Sequence, residues 1–370
     1  MAVETLFGLI FDKIPDPRHE SRTFYPLEEI FFLCFCATIA NCDGWTDIED
    51  YGKSKLDFLR RFLPYENGIP SDNTLGRLFS RIDPKAFQDC FVEFIKRIFP
   101  QAGDRLIAID GKTSRGSGFD GCNALHTLSA YASETRLVLA QMATEEKSNE
   151  ITAIPLLLDI LDIKEATVTI DAMGCQKGIA KKIIDKKGHY VFGLKDNQKA
   201  LRAQAEALFA SAPSLADSFA EENHGHGRKE RRICDVLPAE DVEFLRQTSE
   251  FPGFKSVVRV TSERAIKDAT VREVRYYVSD LPPDAKRIAA AIRKHWGIEN
   301  SLHYVLDVSF KEDASKIHKD HAPFNMAIIR HLAVNLIKSV QKKGESIRRL
   351  RKIAAYDEGV MLRIVNLEMN

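Results

Sequence analysis

The first hundred residues have the hydrophobic pattern of helices. Apolar positions at helical spacing predict helices over residues 27–41, 46–62, 74–83 and 86–99. Ser71 or Asp72 is placed to cap the third helix, and Asp83-Pro84 is placed to end it. Helices separated by short turns are typical of a helix-turn-helix and equally of a plain helical bundle. The pattern therefore predicts an all-helical N-terminal domain over residues 1–100.

Near residue 101 the pattern changes to short apolar runs. These runs predict strands over residues 105–110, 125–132, 137–143, 166–171 and 189–194, with helices over 150–161 and 176–187. Three strands in succession, followed by alternating helix and strand, favour a mixed α/β sheet over a doubly wound one. We predict one α/β domain from residue 101 to residue 370.

A β-rich segment interrupts this domain between about residues 222 and 282. The apolar period shifts towards two there, which predicts strands over residues 230–236, 255–262 and 270–278. Asp284 then opens a helical region that continues to about Lys343. The last part of the chain, at about 338–370, is predicted to be a basic helical tail.

The composition excludes several classes of protein. The chain has 370 residues, with 53 basic and 53 acidic residues and 44% hydrophobic residues, which excludes a collagen, a disordered chain and a polytopic membrane protein. Zero net charge disfavours coating of nucleic acid through charge alone, but it leaves local basic patches open. The longest apolar run, Ile30–Ala40, is too short to span a bilayer and lacks the features of a signal peptide.

The cysteines indicate a reducing compartment. The chain has seven of them and no CxxC pair, so a disulfide framework or a zinc ribbon is disfavoured. We expect a cytoplasmic protein whose cysteines are mostly small buried hydrophobic side chains.

Two predicted strands end in an aspartate, Asp110 after Ile-Ala-Ile and Asp171 after Val-Thr-Ile. Active sites of open α/β sheets lie at the carboxyl ends of strands, so the two carboxylates converge if the strands are neighbours. Mg²⁺ prefers such oxygen ligands. A single aspartate at a strand end more often caps a turn, and for this pair the two interpretations are about equally supported.

A third carboxylate, Glu299, lies in a polar segment around a tryptophan. On a helix, His295, Glu299 and His303 fall on one face, from which Glu299 can point into a sheet edge. The same spacing could bind Zn²⁺, which is the weaker alternative. An ordinary buried polar network is the other alternative.

Eight strings follow one another along nearly the whole chain, from about Asp16 to Met361. They are YPLEEI, NGIPSDNT, AIDGKTSRGS, EKSNEITAIPLLL, TIDAMGCQKGIA, HGRKERR, HWGIENSLHYVLDVSFKEDASKI and NMAIIRHLAVNLI. Together they resemble the DDE-type insertion-sequence transposases of the H-repeat-associated (ISAs-type) family. The resemblance is specific because several long strings match in the right order.

The resemblance implies an RNase H-like mixed-sheet catalytic core with an Asp-Asp-Glu triad. By motif, Asp110 matches the first acid, Asp171 the second and Glu299 the third. The three acids would be the catalytic residues and also the ligands of Mg²⁺, with Mn²⁺ as an alternative ion. The implied reaction is metal-dependent cleavage of DNA at the ends of the element, followed by strand transfer of the 3′-OH into target DNA.

The surroundings of the third acid depart from the Tyr/Arg/Lys signature of the wider superfamily. Ile292 stands at the tyrosine position, His295 at the arginine position and Leu306 at the lysine position. Arg293 or Lys294 could substitute for the missing arginine. The roles of these neighbours therefore do not follow from the resemblance.

The implied partner is double-stranded DNA, both the terminal inverted repeats of the element and the target, bound by a homodimer or higher oligomer. The helical N-terminal domain would be a DNA-binding or accessory domain. Any single basic residue is more often an ordinary surface charge. The basic tail as a set is better evidence for DNA binding, because affinity for DNA grows with each phosphate contacted. The predicted DNA-binding residues are Lys112, Arg115, Lys195, Gln198, Arg228, Arg293, His295, Lys338, Arg348 and Arg349.

Two other functions compete with transposition. One is a DNA-binding remnant or repressor without cleavage activity, and the other is a metal-dependent RNase H-like nuclease of host metabolism. All three acids are present, which argues against a decayed active site. We expect a bacterial cytoplasmic protein that joins the nucleoid when it binds DNA, with no membrane partner and no other cofactor.

Overall fold

The computed structural model describes residue 8 and residues 11–19, 23–100, 106–119, 123–144, 150–211, 215–225, 228–239, 251–266 and 269–365. At residues 225, 228, 266 and 269 only the backbone is described. The predicted mixed α/β architecture is confirmed, with helices before a large mixed sheet and after it.

The helical nature of the first hundred residues is confirmed. The helices are α1 (Leu27–Ile39), α2 (Trp45–Ser54), α3 (Leu56–Leu59), α4 (Asp72–Phe79) and α5 (Pro84–Ile98). The predicted second helix is divided at Lys55 into α2 and α3. Ser71 caps α4 by accepting the amide of Thr74. Asp83 accepts two amides of the first turn of α5, so it begins the next helix.

Nine strands form one sheet in the described part of the chain. They are β1 (Leu106–Thr113), β2 (His126–Ala132), β3 (Leu137–Thr144), β4 (Thr167–Ile170), β5 (His189–Leu194), β6 (Asp217–Gly225), β7 (Arg228–Pro238), β8 (Ser256–Ile266) and β9 (Ala269–Ser279). Their spatial order is β3-β2-β1-β4-β5-β9-β8-β7-β6. The strands β1, β4 and β5 are parallel, and β2 and β3 are antiparallel to their neighbours, which is the RNase H-like arrangement.

Strand β1 is longer than its hydrophobic run predicts. The run ends at Asp110, whereas the strand continues to Thr113 because it keeps pairing with β2, with Asp110 opposite Ser129. The parallel ladder between β1 and β4 ends at the pair Ile109 and Ile170. Asp110 and Asp171 therefore both follow the last pair of this ladder.

The β-rich insertion continues the same sheet. Its last strand, β9, pairs antiparallel with β5, with Ser279 opposite Val191. The insertion runs from Asp217 to Ser279, and its first strand, β6, was missing from the sequence prediction. Pairing with β5 covers what would otherwise be the open edge of the core sheet.

The remaining helices cover the sheet and join it to the N-terminal helices. They are α6 (Glu150–Ile160), α7 (Lys177–Asp185), α8 (Lys199–Ser211), α9 (Ala285–Ile298), α10 (Tyr304–Ser309), α11 (Ala322–Ser339), α12 (Ile347–Ala354) and α13 (Glu358–Val365). A π-helical turn, Glu299–His303, joins α9 to α10. A continuous apolar core extends from the N-terminal helices through α11 to the sheet.

Two asparagines of the buried helix α11 tie these layers together. Asn325 donates to the carbonyls of Phe79 and Ile82 beside the N-terminal helices. Asn335 exchanges two hydrogen bonds with the backbone of Val138 in β3, at 2.8 and 2.9 Å. Both amides satisfy backbone groups away from water, so α11 fixes the helical layer against the sheet.

The predicted basic tail is partly internal. Arg351 in α12 is fully buried, and it donates to the carbonyl of Thr38 at the end of α1 and to Asp43, while its guanidinium stacks on Phe310. The last carbonyls of a helix lack partners within the helix, which explains the attraction of the cation. Arg348 and Arg349 of the same helix are exposed.

Six of the seven cysteines lie in the described residues, and all six are free thiols, of which five are buried. Cys122 lies outside the described residues. None of the described helices combines the length and the apolar character needed to cross a membrane.

Candidate active site

Two carboxylates stand at the same edge of the sheet because their strands are parallel neighbours. Asp110 follows Ile109 on β1, and Asp171 follows Ile170 on β4. Asp171 also accepts the amides of Met173 and Gly174, at 2.9 and 3.4 Å, and so caps a short 3-10 turn. The turn-capping role considered for such an aspartate is therefore real for Asp171. It leaves the carboxylate facing the same cavity as Asp110.

The third acid reaches this cavity from α9. Glu299 is the first residue of the π-helical turn. The cavity has a volume of about 170 Å³. Its polar lining consists of Asp110, Asp171, Glu299, Thr169, Lys195, Arg275, Tyr276, Tyr277, His295 and Trp296. The structure therefore brings together the three acids that the sequence singled out.

The electrostatics of the cavity reflect three acids in a small space. Burial raises the pKa of Asp110 to about 7, and the charge of Asp171 and then that of Glu299 add to the increase. Burial also raises the pKa of Glu299, whereas the charges of Arg275 and Lys195 oppose that change. Carboxylates that repel one another are stabilised by a shared cation.

The donor set fits a hard divalent cation. Three carboxylates around one cavity supply the oxygen ligands that Mg²⁺ prefers. In the described residues, no three His, Cys, Asp or Glu side chains already stand close enough together to hold a metal ion. The acids line the cavity without closing around a common point, as expected for uncompensated like charges. The zinc alternative, with His295 and His303 as ligands, finds no preformed site either.

The two histidines near Glu299 are neutral. His295 shares a hydrogen bond of 3.0 Å with the hydroxyl of Thr169, and burial lowers its pKa to about 4. His303 places Nδ1 3.6 Å from a carboxylate oxygen of Asp110, and burial together with the charge of Lys112 lowers its pKa to about 3. A neutral imidazole therefore stands where the wider superfamily has an arginine, and His295 belongs to the cavity wall.

A buried pair beneath Asp110 escaped the sequence analysis. His126 Nε2 and Glu150 Oε1 are 2.7 Å apart, and both side chains are buried. They lie so close to Gly111 that a Cβ atom there would collide with both. The string EKSNEI contains Glu150, but no spacing relative to Asp110 could reveal that the two meet.

Arg275 and Trp296 were also missed as a pair. The guanidinium of Arg275 lies 4.9 Å from the ring centroid of Trp296 and donates to Glu273. Both residues line the acid cavity and also a second cavity of about 380 Å³ between α9 and the strands of the insertion. Arg275 is far from Asp110 and Asp171 in the sequence, so only the pairing of its strand, β9, with β5 discloses its position at the cavity.

Five of the predicted DNA-binding residues are exposed. Lys195 lines the acid cavity, and Arg293 lines the second cavity. Arg115 has 84% of its side chain exposed, beside Asp313. Arg348 and Arg349 lie on the surface of α12.

Three other predicted DNA-binding residues have partners inside the protein. The ammonium of Lys112 lies within 3.1 Å of Asp307, Glu312 and Asp313, and its side chain is only 9% exposed. Gln198 donates to the carbonyl of Cys175. Lys338 donates to three oxygen atoms inside the fold. The side chain of Arg228 lies outside the described residues.

Comparison with known proteins identifies the family of the chain. The family model described as "Transposase DDE domain" matches residues 101–336, and the one described as "DDE_Tnp_1-associated" matches residues 9–95. Divalent metal ions are the usual cofactors of the first of these families.

Curated relatives match over nearly the whole chain. "Putative transposase YncI" of Escherichia coli O157:H7 is 41% identical over 96% of this chain and 93% of its own. "H repeat-associated putative transposase YhhI" of Escherichia coli K12 is 40% identical over 95% of each chain. A cryo-EM structure of the piggyBac transposase synaptic complex with hairpin DNA covers all of this chain and 81% of its own, at 12% identity and a TM-score of 0.44. On the family models and these full-length identities, the chain belongs to the DDE transposase family, with the H repeat-associated transposases among its relatives.

Proposed function

We propose that this protein cleaves DNA at the ends of an insertion sequence and transfers the freed 3′-OH into target DNA. Asp110, Asp171 and Glu299 would be the catalytic acids and would hold Mg²⁺, or Mn²⁺ in its place. The observation that carries the proposal is the single cavity lined by all three acids, in which Asp171 and Glu299 help to raise the pKa of Asp110.

Bound divalent ions would activate water and stabilise charge on the transferring phosphate. The fold of the chain positions the three acids around the cavity. Asp110 and Asp171 follow adjacent parallel strands, and Glu299 comes from a helix packed on the same sheet. Water oxygen bonds to phosphorus and the P–O3′ bond breaks, which leaves a 3′-OH. That hydroxyl then attacks a phosphodiester of the target in the same way.

The substrate would be double-stranded DNA, held through phosphates by the exposed basic side chains. Lys195 lies beside the acids, and Arg293 lies at the neighbouring cavity. Arg115, Arg348 and Arg349 would extend the contact over the surface. Joining two element ends requires two active sites, so we propose a dimer or higher oligomer on DNA, acting in the bacterial cytoplasm on the nucleoid.

A paired binding and nicking experiment tests the proposal. The substrate is a labelled duplex that carries the terminal repeat flanking the gene, with Mg²⁺ or with EDTA. We expect Asp110→Asn, Asp171→Asn and Glu299→Gln to reduce nicking to background while gel-shift affinity stays within about threefold. The control is Asp196→Asn, whose carboxylate is 82% exposed outside the cavity.

The outcomes separate the competing functions. Nicking by Asp110→Asn at the wild-type rate would remove the triad assignment. Specific binding without nicking by the wild-type protein would support the non-cleaving DNA-binding protein instead. Nicking without preference for the terminal repeat would support a general nuclease.

A further inference from the structure

The π-helical turn that begins at Glu299 changes which strand the helix faces. Before it, α9 directs His295 to Thr169 of β4. After it, α10 directs Asp307 to Lys112 of β1. One extra residue in a helical turn rotates the two flanking segments by about 100° relative to each other. The turn thus lets two consecutive helical segments face different strands of the sheet, and Glu299 lies at the junction.

A π-helical turn is a rare departure from α-helical geometry that occurs frequently at functional sites, and contacts from outside the helix can hold it in place. Here the support comes from Lys338 in the last turn of α11. Its ammonium donates to the carbonyl of Ser301 within the turn at 2.9 Å, to the carbonyl of Arg136 at 3.1 Å and to the hydroxyl of Tyr131 at 3.3 Å.

One partner of Lys338 anchors it to the buried part of the sheet. Tyr131 is fully buried on β2, and its ring lies 4.9 Å below the ammonium. The three donors of a lysine ammonium match the three acceptors. Burial and the charge of Arg136 lower the pKa of Lys338 to about 7. The hydrogen bonds of the ammonium must therefore offset the free-energy cost of its desolvation.

We propose that Lys338 is a positioning residue that holds the π-helical turn and thereby sets the direction of Glu299. It acts through the Ser301 carbonyl and touches neither substrate nor the reacting atoms. The inference rests on the proposed function, in which Glu299 is a catalytic acid. It also replaces the predicted role of Lys338 in a basic, DNA-binding tail.

The test compares Lys338→Met, which keeps the side-chain length and removes all three donors, with Lys286→Met, an exposed lysine of α9. Amide hydrogen exchange, single-turnover nicking in Mg²⁺ and gel-shift affinity are measured on the full chain. We expect Lys338→Met to speed exchange in peptides covering residues 299–305, with β1 and β4 unchanged. Nicking should fall at least tenfold, affinity should stay within twofold, and Lys286→Met should match the wild type.

The dependence of nicking on Mg²⁺ concentration shows whether the effect passes through Glu299. If Lys338→Met misdirects this proposed metal ligand, half-maximal nicking should require more Mg²⁺ than in the wild type, whereas Lys286→Met should leave the requirement unchanged. If Lys338→Met does not fold, Tyr131→Phe removes one acceptor and keeps the ring, and it should raise exchange over 299–305 by a smaller factor.

Two results would overturn the inference. One is unchanged exchange over 299–305. The other is a fall in affinity with an unchanged nicking rate for the bound complex, which would mean a DNA contact. A wild-type protein that does not nick DNA would refute the proposed function alone, because the exchange measurement remains valid without activity.

Discussion

Replacing Asp110 by asparagine should stabilise the metal-free protein above neutral pH. In the unfolded chain this carboxyl titrates near 3.8, whereas in the fold its pKa is raised to about 7. Between these values the folded state keeps a proton that the unfolded state has released, so stability falls as pH rises through this window. The loss is complete just above pH 7. Asparagine has nearly the same shape and no charge, so the variant avoids the loss.

The magnitude follows from the size of the pKa difference. About three pKa units correspond to about 4 kcal/mol in the free energy of unfolding. The side chain retains 18% exposure, so part of the repulsion is screened, and we expect about 2 kcal/mol in favour of Asp110→Asn at pH 8. At pH 4 the wild type and the variant should differ little.

The assay is urea unfolding at pH 4, 6 and 8 in EDTA, repeated at pH 8 with Mg²⁺. Added Mg²⁺ should stabilise the wild type more than the variant, because the ion binds the ionised carboxylate. Asp162→Asn, an exposed carboxylate, is the control and should change little at any pH. The reasoning about crowded carboxylates is refuted if Asp110→Asn is no more stable than the wild type at pH 8 without metal.

Three further substitutions test packing and charge inside the fold by urea unfolding, and two of them are compared with an exposed position. Gly111→Ala should cost about 1–3 kcal/mol, since its Cβ would strike two buried side chains, while Gly178→Ala, with open space around it, should be neutral or stabilising; equal effects would contradict the packing. Lys112→Met should cost about 3 kcal/mol because the buried Glu312 loses its nearest cation and keeps only Arg330, at 3.6 Å. Arg115→Ala should instead weaken DNA binding with little change in stability, and the reverse pattern would restore Lys112 as the phosphate contact. Arg351→Met should cost about 1–3 kcal/mol, because the Thr38 carbonyl loses the guanidinium and keeps only the backbone hydrogen bond from Asn41, and a neutral effect would mean that water replaces the guanidinium.

The local elements could be predicted because their signals are local. The strand His189–Leu194 was placed at its observed ends by its apolar run. Asp284 was identified as the start of a helix and does cap α9, accepting the amide of Arg287. The acids Asp110 and Asp171 were found because each follows a short apolar run, and two parallel neighbours necessarily bring such residues together.

The features that could not be predicted from the sequence depend on partners far away along the chain. The sequence does not distinguish a lysine or arginine that faces water from one that faces a buried acceptor. Lys112 is held by carboxylates about two hundred positions away, and Lys338 by a tyrosine of β2. Strand β1 extends beyond its apolar run because β2 supplies hydrogen bonds to its polar end. Nothing in the local pattern of β9 indicates that it pairs with β5, and so Arg275 could not be placed near the triad.

The contact between Arg351 and Thr38 has a consequence for the making of the protein. The two residues are 313 positions apart. At a synthesis rate of about 5–20 residues per second, roughly 15–60 s pass between their appearances on the ribosome. During that interval the end of α1 lacks its guanidinium partner, and the aromatic helices of the first hundred residues lack α11. Shortened copies that stop before α11 would carry this exposed surface permanently, so we expect chaperones and proteases to act on them before they could bind DNA.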